Sequence, residues 1–347
     1  MRLDFEAARA WTAPSSFRRI RVIDAHTGGE PFRVVLDTPP FDGDTVLAKR
    51  RHGQTVLDPL RRSLMWEPRG HADMYGCFLV EGNDDEADFG ILFLHNEGYS
   101  SMCGHGIIAA SKVVLDTGML AARGDATDLV IDAPAGRIFA TAFLEEGKVD
   151  RVSFRNVPSF VLELDARVAV PELGEVHYDL AYGGAFYAYV DAASIGLSCR
   201  PEDVGRQIAL GQAIKRAVMA DRAIPHPFEE DLSFLYGVIF VGPPESPGHH
   251  SRNVCVFADG EVDRSPTGTG VSGRLAIHHA RGELAIDQDI VIESVTGSTF
   301  AGKVLETTTF GPHAAVTPEV TGRAHICGVN EILVDPDDDF PEGFFLR

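Results

Sequence analysis

The sequence predicts an α/β (α+β) protein made of two similar domains, and three observations support this. The chain has 347 residues, which is about enough for two domains of ordinary size. Each half is predicted as strands, one small-residue helix and further strands. Three pairs of similar segments recur in the same order at nearly constant separation, which indicates a duplicated fold. The paired positions are Gly29 and Gly184, Cys103 and Thr267, and Gly136 and Gly297.

The first half contains two strand signals and one helix signal. Residues 20–36 are rich in Val and Phe around a Gly-Gly pair, and residues 89–94 are an apolar run, so we expect strands in both. Residues 104–117 are predicted to be helical because small and apolar residues continue up to Gly118, a typical helix C-terminal stop.

The second half repeats these signals. Strands are expected within residues 178–190 and 253–257, and a helix over 268–281 that stops at Gly282. Residues 201–222 predict an additional helix. We therefore expect a first domain of residues 1–175 and a second of residues 176–329, with residues 330–347 as a segment that joins the first domain.

Composition excludes several classes of function. Asp and Glu number 51 against 31 Lys and Arg, giving a net charge of -20, which disfavours binding to nucleic acid or to an anionic membrane surface. No apolar run is long enough to span a bilayer, and the first twenty residues lack the apolar core of a signal peptide. Five scattered cysteines without a CxxC pair predict neither a disulfide framework nor a structural zinc site. We expect a cytoplasmic protein with reduced thiols and no metal.

The motif pair carries the predicted chemistry. Residues 102–106 (Met-Cys-Gly-His-Gly) and 266–270 (Pro-Thr-Gly-Thr-Gly) each begin a predicted helix. A helix N-terminus has unpaired N–H groups and partial positive charge, so two such ends form a cradle for a carboxylate. The same position favours a thiolate, which predicts that the pKa of Cys103 is lowered from ~8.5 toward neutrality and that Cys103 is a general base.

Structural interpretations of these residues stay open at this point. A free cysteine is commonly buried and inert, and Thr267 alone is typical of a helix N-cap. His105 alone is typical of a packing residue. The remaining cysteines lack a comparable setting and are interpreted as core or surface residues: Cys77, Cys199, Cys255 and Cys327.

Five segments together resemble the proline racemase family. They are residues 24–31, 68–71, 97–99, 102–106 and 263–270. The resemblance covers nearly the whole chain and implies a fold like that of diaminopimelate epimerase. In that fold two pseudo-symmetric domains each wrap a sheet around a central helix, and the active site lies in the cleft between them. The resemblance implies that no cofactor is used.

The same resemblance implies an unequal pair of catalytic positions. In the racemases and hydroxyproline epimerases of the family, two cysteines flank the α-carbon on opposite faces. Cys103 matches the first cysteine, and Thr267 stands where the second is expected. A Cys/Thr pair implies dehydration of trans-3-hydroxy-L-proline to Δ1-pyrroline-2-carboxylate.

The remaining roles are also implied by position in the family. Tyr75 and Phe257 would form aromatic walls over the substrate ring, and Asp263 would hold the ring ammonium. The substrate carboxylate would bind mainly to backbone N–H groups of four residues, namely Gly104, His105, Gly268 and Thr269.

Two alternatives remain at this level. One is a proline racemase or 4-hydroxyproline 2-epimerase in which Thr267 or a water supplies the second proton. The other is a non-catalytic protein that binds a cyclic amino acid. A hydrolase with a Cys–His pair is disfavoured, because Cys103 and His105 are too close in sequence for the usual arrangement. The expected partner is a small cyclic amino acid, and a homodimer is left undecided.

Overall fold

The computed structural model describes residues 3–346. Within this range six helices and eighteen strands form a mixed α/β fold. The helices are α1 Phe5–Ala10, α2 Val46–Val56, α3 Asp58–Met65, α4 Gly104–Asp116, α5 Val204–Asp221 and α6 Gly268–Ala280. Three short 3-10 turns lie at Ala192–Ile195, Pro201–Asp203 and Glu230–Leu232.

The strands are numbered in chain order. They are β1 Arg18–Thr27, β2 Glu30–Val35, β3 Tyr75–Val80, β4 Phe89–His95, β5 Tyr99–Ser100, β6 Ala126–Ala133, β7 Gly136–Glu145, β8 Lys148–Arg155, β9 Ser159–Val170, β10 Gly174–Tyr182, β11 Phe186–Asp191, β12 Leu235–Gly242, β13 Ser251–Phe257, β14 Glu261–Asp263, β15 Ile290–Glu293, β16 Thr299–Phe310, β17 His313–Gly322 and β18 Ala324–Val334.

Strand pairing repeats the same pattern in both halves. The first half has the spatial order β18-β1-β2-β3-β4-β6-β7-β8, in which β2–β3 and β4–β6 are parallel. The second half has the order β9-β10-β11-β12-β13-β15-β16-β17, in which β11–β12 and β13–β15 are parallel. Strand β17 pairs back with β9 and also with β8, so the second sheet closes and joins the first. The predicted α/β duplication is therefore confirmed.

The C-terminal strand takes part in the first half of the molecule. Strand β18 pairs with β1 along its whole length, and it occupies the place that β9 has beside β10. Strand β18 begins at Ala324. The domain boundary that we expect near Glu175 lies within the β9–β10 hairpin. The domain limits given above stay a prediction.

Each half wraps its sheet around one central helix. Helix α4 packs against β1, β8 and β18, and α6 packs against β9, β16 and β17. The predicted helix ends are confirmed to within one residue, because Gly118 and Gly282 follow the caps with φ of 75° and 72°. These positive angles favour glycine, which has no β-carbon to clash with the preceding turn.

Helices α1, α2 and α3 were not predicted from the sequence. In α2 two cations are buried: Lys49 Nζ donates to the carbonyl of Glu81, and Arg50 donates to the carbonyl of Tyr99. Charged residues on the inner face hide the apolar periodicity on which helix prediction depends. None of the helices formed by residues 3–346 has the length and apolar character needed to cross a membrane.

Candidate active site

A small cavity lies between the N-termini of the two central helices. Its volume is about 20 Å³, which leaves room for about one water molecule. The lining residues are Tyr75, Met102, Cys103, Gly104, His105, Tyr187, Tyr236, Cys255, Phe257, Asp263, Thr267, Gly268 and Thr269. All nine residues that sequence analysis selected are brought together here, while their chemical roles stay predictions.

The two helix ends meet at backbone level. Gly104 and Gly268, the first residues of α4 and α6, lie against each other. Intrahelical bonding starts only at Ile107 and Val271, whose N–H groups donate to the carbonyls of the residues just before each helix. The earlier N–H groups have no intrahelical acceptor, so the ends of both helices offer donors and partial positive charge to one anion.

Cys103 occupies the N-cap of α4 with its sulfur among donors. The residue has extended backbone angles, and its Sγ accepts a hydrogen bond from the N–H of Gly106 at 3.2 Å. The imidazole Nδ1 of His105 lies 3.1 Å from the same sulfur. The side chain is only 5% exposed, so the sulfur is held by protein groups rather than by bulk water.

The predicted lowering of the Cys103 pKa was wrong, because the sulfur is buried. Burial raises the pKa of Cys103 well above its ordinary value, and the carboxylates of Asp263 and Glu30 act in the same direction. The Gly106 N–H favours the thiolate but does not offset the loss of hydration. Burial also lowers the pKa of His105 to about 3, so the imidazole beside the sulfur is neutral.

Thr267 precedes α6 but does not cap it with its side chain. Its N–H donates to Ser265 Oγ at 3.1 Å, and the buried hydroxyl makes no hydrogen bond of good geometry within residues 3–346, although it is near enough to Asp263 to favour the ionised carboxyl. The backbone has a φ of 68°, which is strained for a β-branched residue. The N-cap interpretation is therefore wrong for the hydroxyl, and strain of this kind is typical of functional sites.

Acidic groups cluster in the cavity wall and behind it. Asp263 Oδ1 accepts the Ser265 N–H at 2.7 Å, and burial raises the pKa of Asp263 to about 6. Glu30 accepts the Arg264 N–H at 2.7 Å, and the Arg264 guanidinium pairs with Asp73 at 2.5 Å. In the described part of the chain, no three His, Cys, Asp or Glu side chains are grouped so as to hold a metal ion.

Aromatic rings form the wall opposite the helix ends. The ring centroids of Tyr75 and Phe257 lie 6.1 Å apart, and Tyr236 stacks on Phe257 at 5.4 Å. The hydroxyls of Tyr75 and Tyr236 are 3.4 Å apart. Because Tyr75 comes from the first half and Phe257 from the second, the wall spans both halves.

Four lining residues were missed by sequence reasoning: Met102, Tyr187, Tyr236 and Cys255. Cys255 had been interpreted as a core or surface residue. The strand pattern could have identified Cys255. This cysteine lies two positions before Phe257 on a predicted strand, and residues two apart on a strand lie on the same face. Met102 directly precedes the selected cysteine, whereas the two tyrosines carried no comparable signal.

The fold and the site define a two-domain, epimerase-like protein, and comparisons identify its family. The profile described as "Proline racemase" matches residues 22–345. A protein of Colwellia psychrerythraea named trans-3-hydroxy-L-proline dehydratase is 48% identical over 99% of this chain and 97% of its own length. The chain belongs to the proline racemase family.

Two further similarities agree with this assignment. A Burkholderia multivorans protein named 3-hydroxyproline 2-epimerase is 45% identical over 95% of this chain and 99% of its own length. The crystal structure of a hydroxyproline epimerase from Agrobacterium vitis, with bound trans-4-hydroxy-L-proline, superimposes with a TM-score of 0.89. That structure is 32% identical and covers 95% of this chain and 96% of its own, which confirms the epimerase-like fold expected from the sequence.

Proposed function

We propose that this protein dehydrates trans-3-hydroxy-L-proline to Δ1-pyrroline-2-carboxylate with Cys103 as its base and without a cofactor. The observation that carries the proposal is the unequal pair across the cavity. Cys103 of the first half and Thr267 of the second both line this cavity, so a thiol and a hydroxyl stand at the positions where an epimerase of the family would have two thiols. The name of the Colwellia psychrerythraea relative supports the same reaction.

Substrate stereochemistry explains why one thiol suffices. In trans-3-hydroxy-L-proline the 3-hydroxyl and the α-hydrogen both lie on the ring face opposite the carboxylate. A base on that face removes the hydrogen and then protonates the departing hydroxyl. A racemase instead needs a proton from the opposite face, where a threonine hydroxyl is a far weaker acid than a thiol.

The raised pKa of Cys103 means that its thiolate is a stronger base, which suits removal of a proton from a weakly acidic C–H bond. A thiolate formed while the cleft is open and hydrated loses its water as the cleft closes. Desolvation makes the anion more basic, which improves the match to an α-proton. The Gly106 N–H donates to the sulfur and keeps the anion hydrogen-bonded, and the neutral His105 imidazole lies 3.1 Å away.

The polar groups around the cavity match the charges of the substrate. The carboxylate would accept N–H donors from Gly104 and His105 of α4 and from Gly268 and Thr269 of α6. The ring ammonium would pair with Asp263, whose carboxyl lies in the same cavity. An ammonium there favours the ionised carboxyl and offsets the burial that raises its pKa to about 6.

The reaction balances with the groups present. The thiolate of Cys103 takes the α-proton, and the released electron pair forms a C2–C3 double bond as the C3–O bond breaks. The new thiol gives its proton to the departing oxygen, so water leaves and the thiolate is restored. The enamine then takes a proton at C3 as it tautomerises to the cyclic imine.

Substrate entry requires the cleft to open. A cavity of about 20 Å³ holds one water and not a five-membered ring with its carboxylate. The lining comes from both halves of the chain, so a small separation of the halves enlarges it. Reclosure then brings both helix ends onto the carboxylate.

The proposal is tested by incubating the purified protein with trans-3-hydroxy-L-proline and following Δ1-pyrroline-2-carboxylate by NMR. The expected result is stoichiometric conversion to the imine and water. Conversion of L-proline or trans-4-hydroxy-L-proline to the α-carbon epimer, with no imine from the 3-hydroxy substrate, would contradict it.

Epimerisation is the second candidate, because a 45% identical relative is named 3-hydroxyproline 2-epimerase. That reaction needs an acid on the Thr267 side of the ring. Running the assay in deuterium oxide separates the two candidates. A dehydratase with one base yields imine as the main product, whereas an epimerase accumulates the inverted amino acid labelled at the α-carbon.

A further inference from the structure

A basic pocket lies where the two halves of the chain contact each other. Its volume is about 610 Å³, and it shares no lining residue with the cavity at the helix ends. The lining residues are His26, Gly28, Gly29, Arg151, Thr296, Gly297, Ser298, Thr299, Ala301, Thr321, Gly322, Arg323 and His325. None of these described residues is Asp or Glu, although the whole chain carries a net charge of -20. The basic pocket is therefore a local concentration of cations on an acidic protein.

Two arginines of the basic pocket share one carboxylate. Asp150 Oδ2 lies 3.0 Å from Arg323 Nη2 and 3.5 Å from Arg151 Nη1. One carboxylate balances the charge of only one guanidinium group. The side chains of Arg151 and Arg323 are 42% and 63% exposed, so both have room to turn toward a ligand. Exposed ion pairs of this kind contribute little to stability, so an anion can replace Asp150 at small cost.

Neutral hydrogen-bond donors complement these charges. The N–H of Gly29 donates to His26 Nδ1 at 3.3 Å, so a neutral His26 carries its proton on Nε2. The hydroxyls of Thr296 and Ser298 lie 2.9 and 2.8 Å from the Oγ of buried Ser294, which fixes their positions in the wall. Guanidinium, imidazole N–H and hydroxyl groups together suit the oxygens of a phosphate group.

The walls of the basic pocket come from both halves. Arg151 lies on β8 of the first half, and Thr296 lies in the β15–β16 turn of the second. Thr296 Oγ1 is 3.3 Å from the carbonyl oxygen of Gly28 in the β1–β2 turn and 3.1 Å from that of Arg264. Arg264 directly follows Asp263 of the active-site cavity. A ligand that contacts both walls therefore opposes the separation of the halves that substrate entry requires.

We propose that the basic pocket binds the phosphate group of a small molecule through Arg151, Arg323 and the hydroxyl of Thr296, and that the bound ligand holds the halves closed. A phosphate dianion offers more acceptor oxygens than a carboxylate and pairs well with arginine. The volume of about 610 Å³ accommodates a phosphate ester as well as free phosphate. Because the closed cleft admits no substrate, the ligand slows turnover. The effect on turnover rests on the proposed function, whereas binding itself does not.

Isothermal titration of the purified full-length chain with inorganic phosphate tests the binding. The buffer contains no other oxyanion, and sodium chloride keeps the ionic strength constant. We expect saturable binding, and we expect the double variant Arg151→Gln and Arg323→Gln to weaken it by at least about 10-fold, because charge-assisted hydrogen bonds are lost. Absence of saturable binding to the original protein, or an unchanged affinity in the double variant, overturns the inference.

The matched control is Arg167→Gln on β9. Arg167 is an exposed arginine that pairs with the carboxylate of Glu175, and it does not line the basic pocket. This variant should bind phosphate as tightly as the original protein. A loss of affinity equal to that of the double variant would show that net charge rather than the basic pocket is responsible, and it would overturn the inference.

Adenosine monophosphate and adenosine distinguish the sources of the phosphate group. Tighter binding of the monophosphate than of inorganic phosphate indicates that a phosphate ester is the ligand, and equal binding indicates that the phosphate group alone is recognised. Both results support the proposal. Adenosine that binds as tightly as its monophosphate contradicts recognition of phosphate.

Turnover of trans-3-hydroxy-L-proline measures the effect on closure. Saturating phosphate is expected to lower kcat by about twofold or more in the original protein and in Arg167→Gln, because opening of the cleft is slowed. The double variant should keep its full kcat with and without phosphate. An effect on KM alone places the phosphate at the helix ends and overturns the inference, as does an unchanged kcat in the phosphate-bound protein. A chain that binds phosphate but forms no imine contradicts the dehydratase proposal and leaves the phosphate site intact.

Discussion

A β-carbon on Gly104 would stand 2.6 Å from the Cα of Gly268, and a β-carbon on Gly268 would stand 2.7 Å from the Cα of Gly104. Real β-carbons do not approach backbone atoms so closely. The two helix N-termini therefore meet only because neither first residue has a side chain. This contact brings the N–H donors of both helices within reach of a single carboxylate.

Replacing Gly104 by Ala is expected to push the two helix ends apart. The added methyl group would also lie 2.9 Å from the Phe154 ring, so neither neighbour has room to yield. We expect a loss of about 1–3 kcal/mol in the free energy of unfolding and a fall of about 10²-fold in kcat/KM, because the carboxylate donors diverge. Urea unfolding and steady-state kinetics measure the two effects.

The matched control is Gly205→Ala near the start of α5. A β-carbon there meets nothing within 4 Å, and the backbone is helical. Alanine at this exposed position should leave kcat/KM unchanged and stabilise the fold by about 0.5–1 kcal/mol. Equal kinetic losses in Gly104→Ala and Gly205→Ala would show that the contact between helix ends is unimportant.

Cys103→Ser is expected to lower kcat for dehydration by at least about 10³-fold, because a serine hydroxyl is not ionised near neutral pH. Binding of the substrate carboxylate should persist, since the helix N–H groups are unchanged, and isothermal titration measures it. Cys327→Ala is the control, because Cys327 is exposed on β18 and does not line the cavity. Full turnover by the serine variant would remove Cys103 from the mechanism.

Thr267→Cys is expected to increase the ratio of inverted to dehydrated product by roughly tenfold or more, because a thiol then faces the α-carbon directly. Thr267→Ser keeps a hydroxyl at this position and should retain the original product ratio. Chiral analysis of the recovered amino acid gives both ratios. If Thr267→Cys yields no more inversion than Thr267→Ser, the missing thiol is not what separates this site from an epimerase.

Asp263→Asn is expected to stabilise the fold at pH 8 while it reduces catalysis. The folded pKa of Asp263 is raised to about 6, above its value in the unfolded chain. The stability that its protonated form contributes is complete below about pH 4 and is lost as the pH rises through about 6. Asparagine mimics the protonated acid, so the variant should gain roughly 3 kcal/mol over the original protein at pH 8 and little at pH 4.

Urea unfolding at the two pH values measures this difference, and Asp44→Asn, at an exposed position, is the matched control. In Asp263→Asn kcat/KM should fall by about 10²-fold, because the ring ammonium loses its anionic partner. A variant that is more stable at pH 4 than at pH 8 relative to the original protein would contradict a raised pKa for Asp263.

The sequence predicted the two central helices because the signals that mark their ends lie within or next to the helices themselves. Flanking glycines and a run of small residues are enough to place the starts and ends of α4 and α6. Helix α2 was missed, because its inner face carries Lys49 and Arg50, which are satisfied only by carbonyls distant in sequence. Such partners exist only in the folded chain.

Ionisation in the site was beyond sequence reasoning for a similar reason. The helix N-terminus alone predicts a thiolate at Cys103, yet burial by both halves raises its pKa. The strained backbone of Thr267 and the position of Cys255 beside it are likewise results of packing. Desolvation depends on everything that surrounds a group, and the sequence does not specify that environment residue by residue.

The sequence by itself determined the duplicated α/β plan, the two helix starts and the unequal pair of Cys103 and Thr267, because each is carried by short motifs that recur in both halves of the chain. Only the tertiary structure decided that Gly104 contacts Gly268, that the cavity is closed around its acids and thiols, and that Cys255 lies in its wall. These features arise where segments distant in the chain meet, and contact between such segments follows from three-dimensional packing rather than from local pattern.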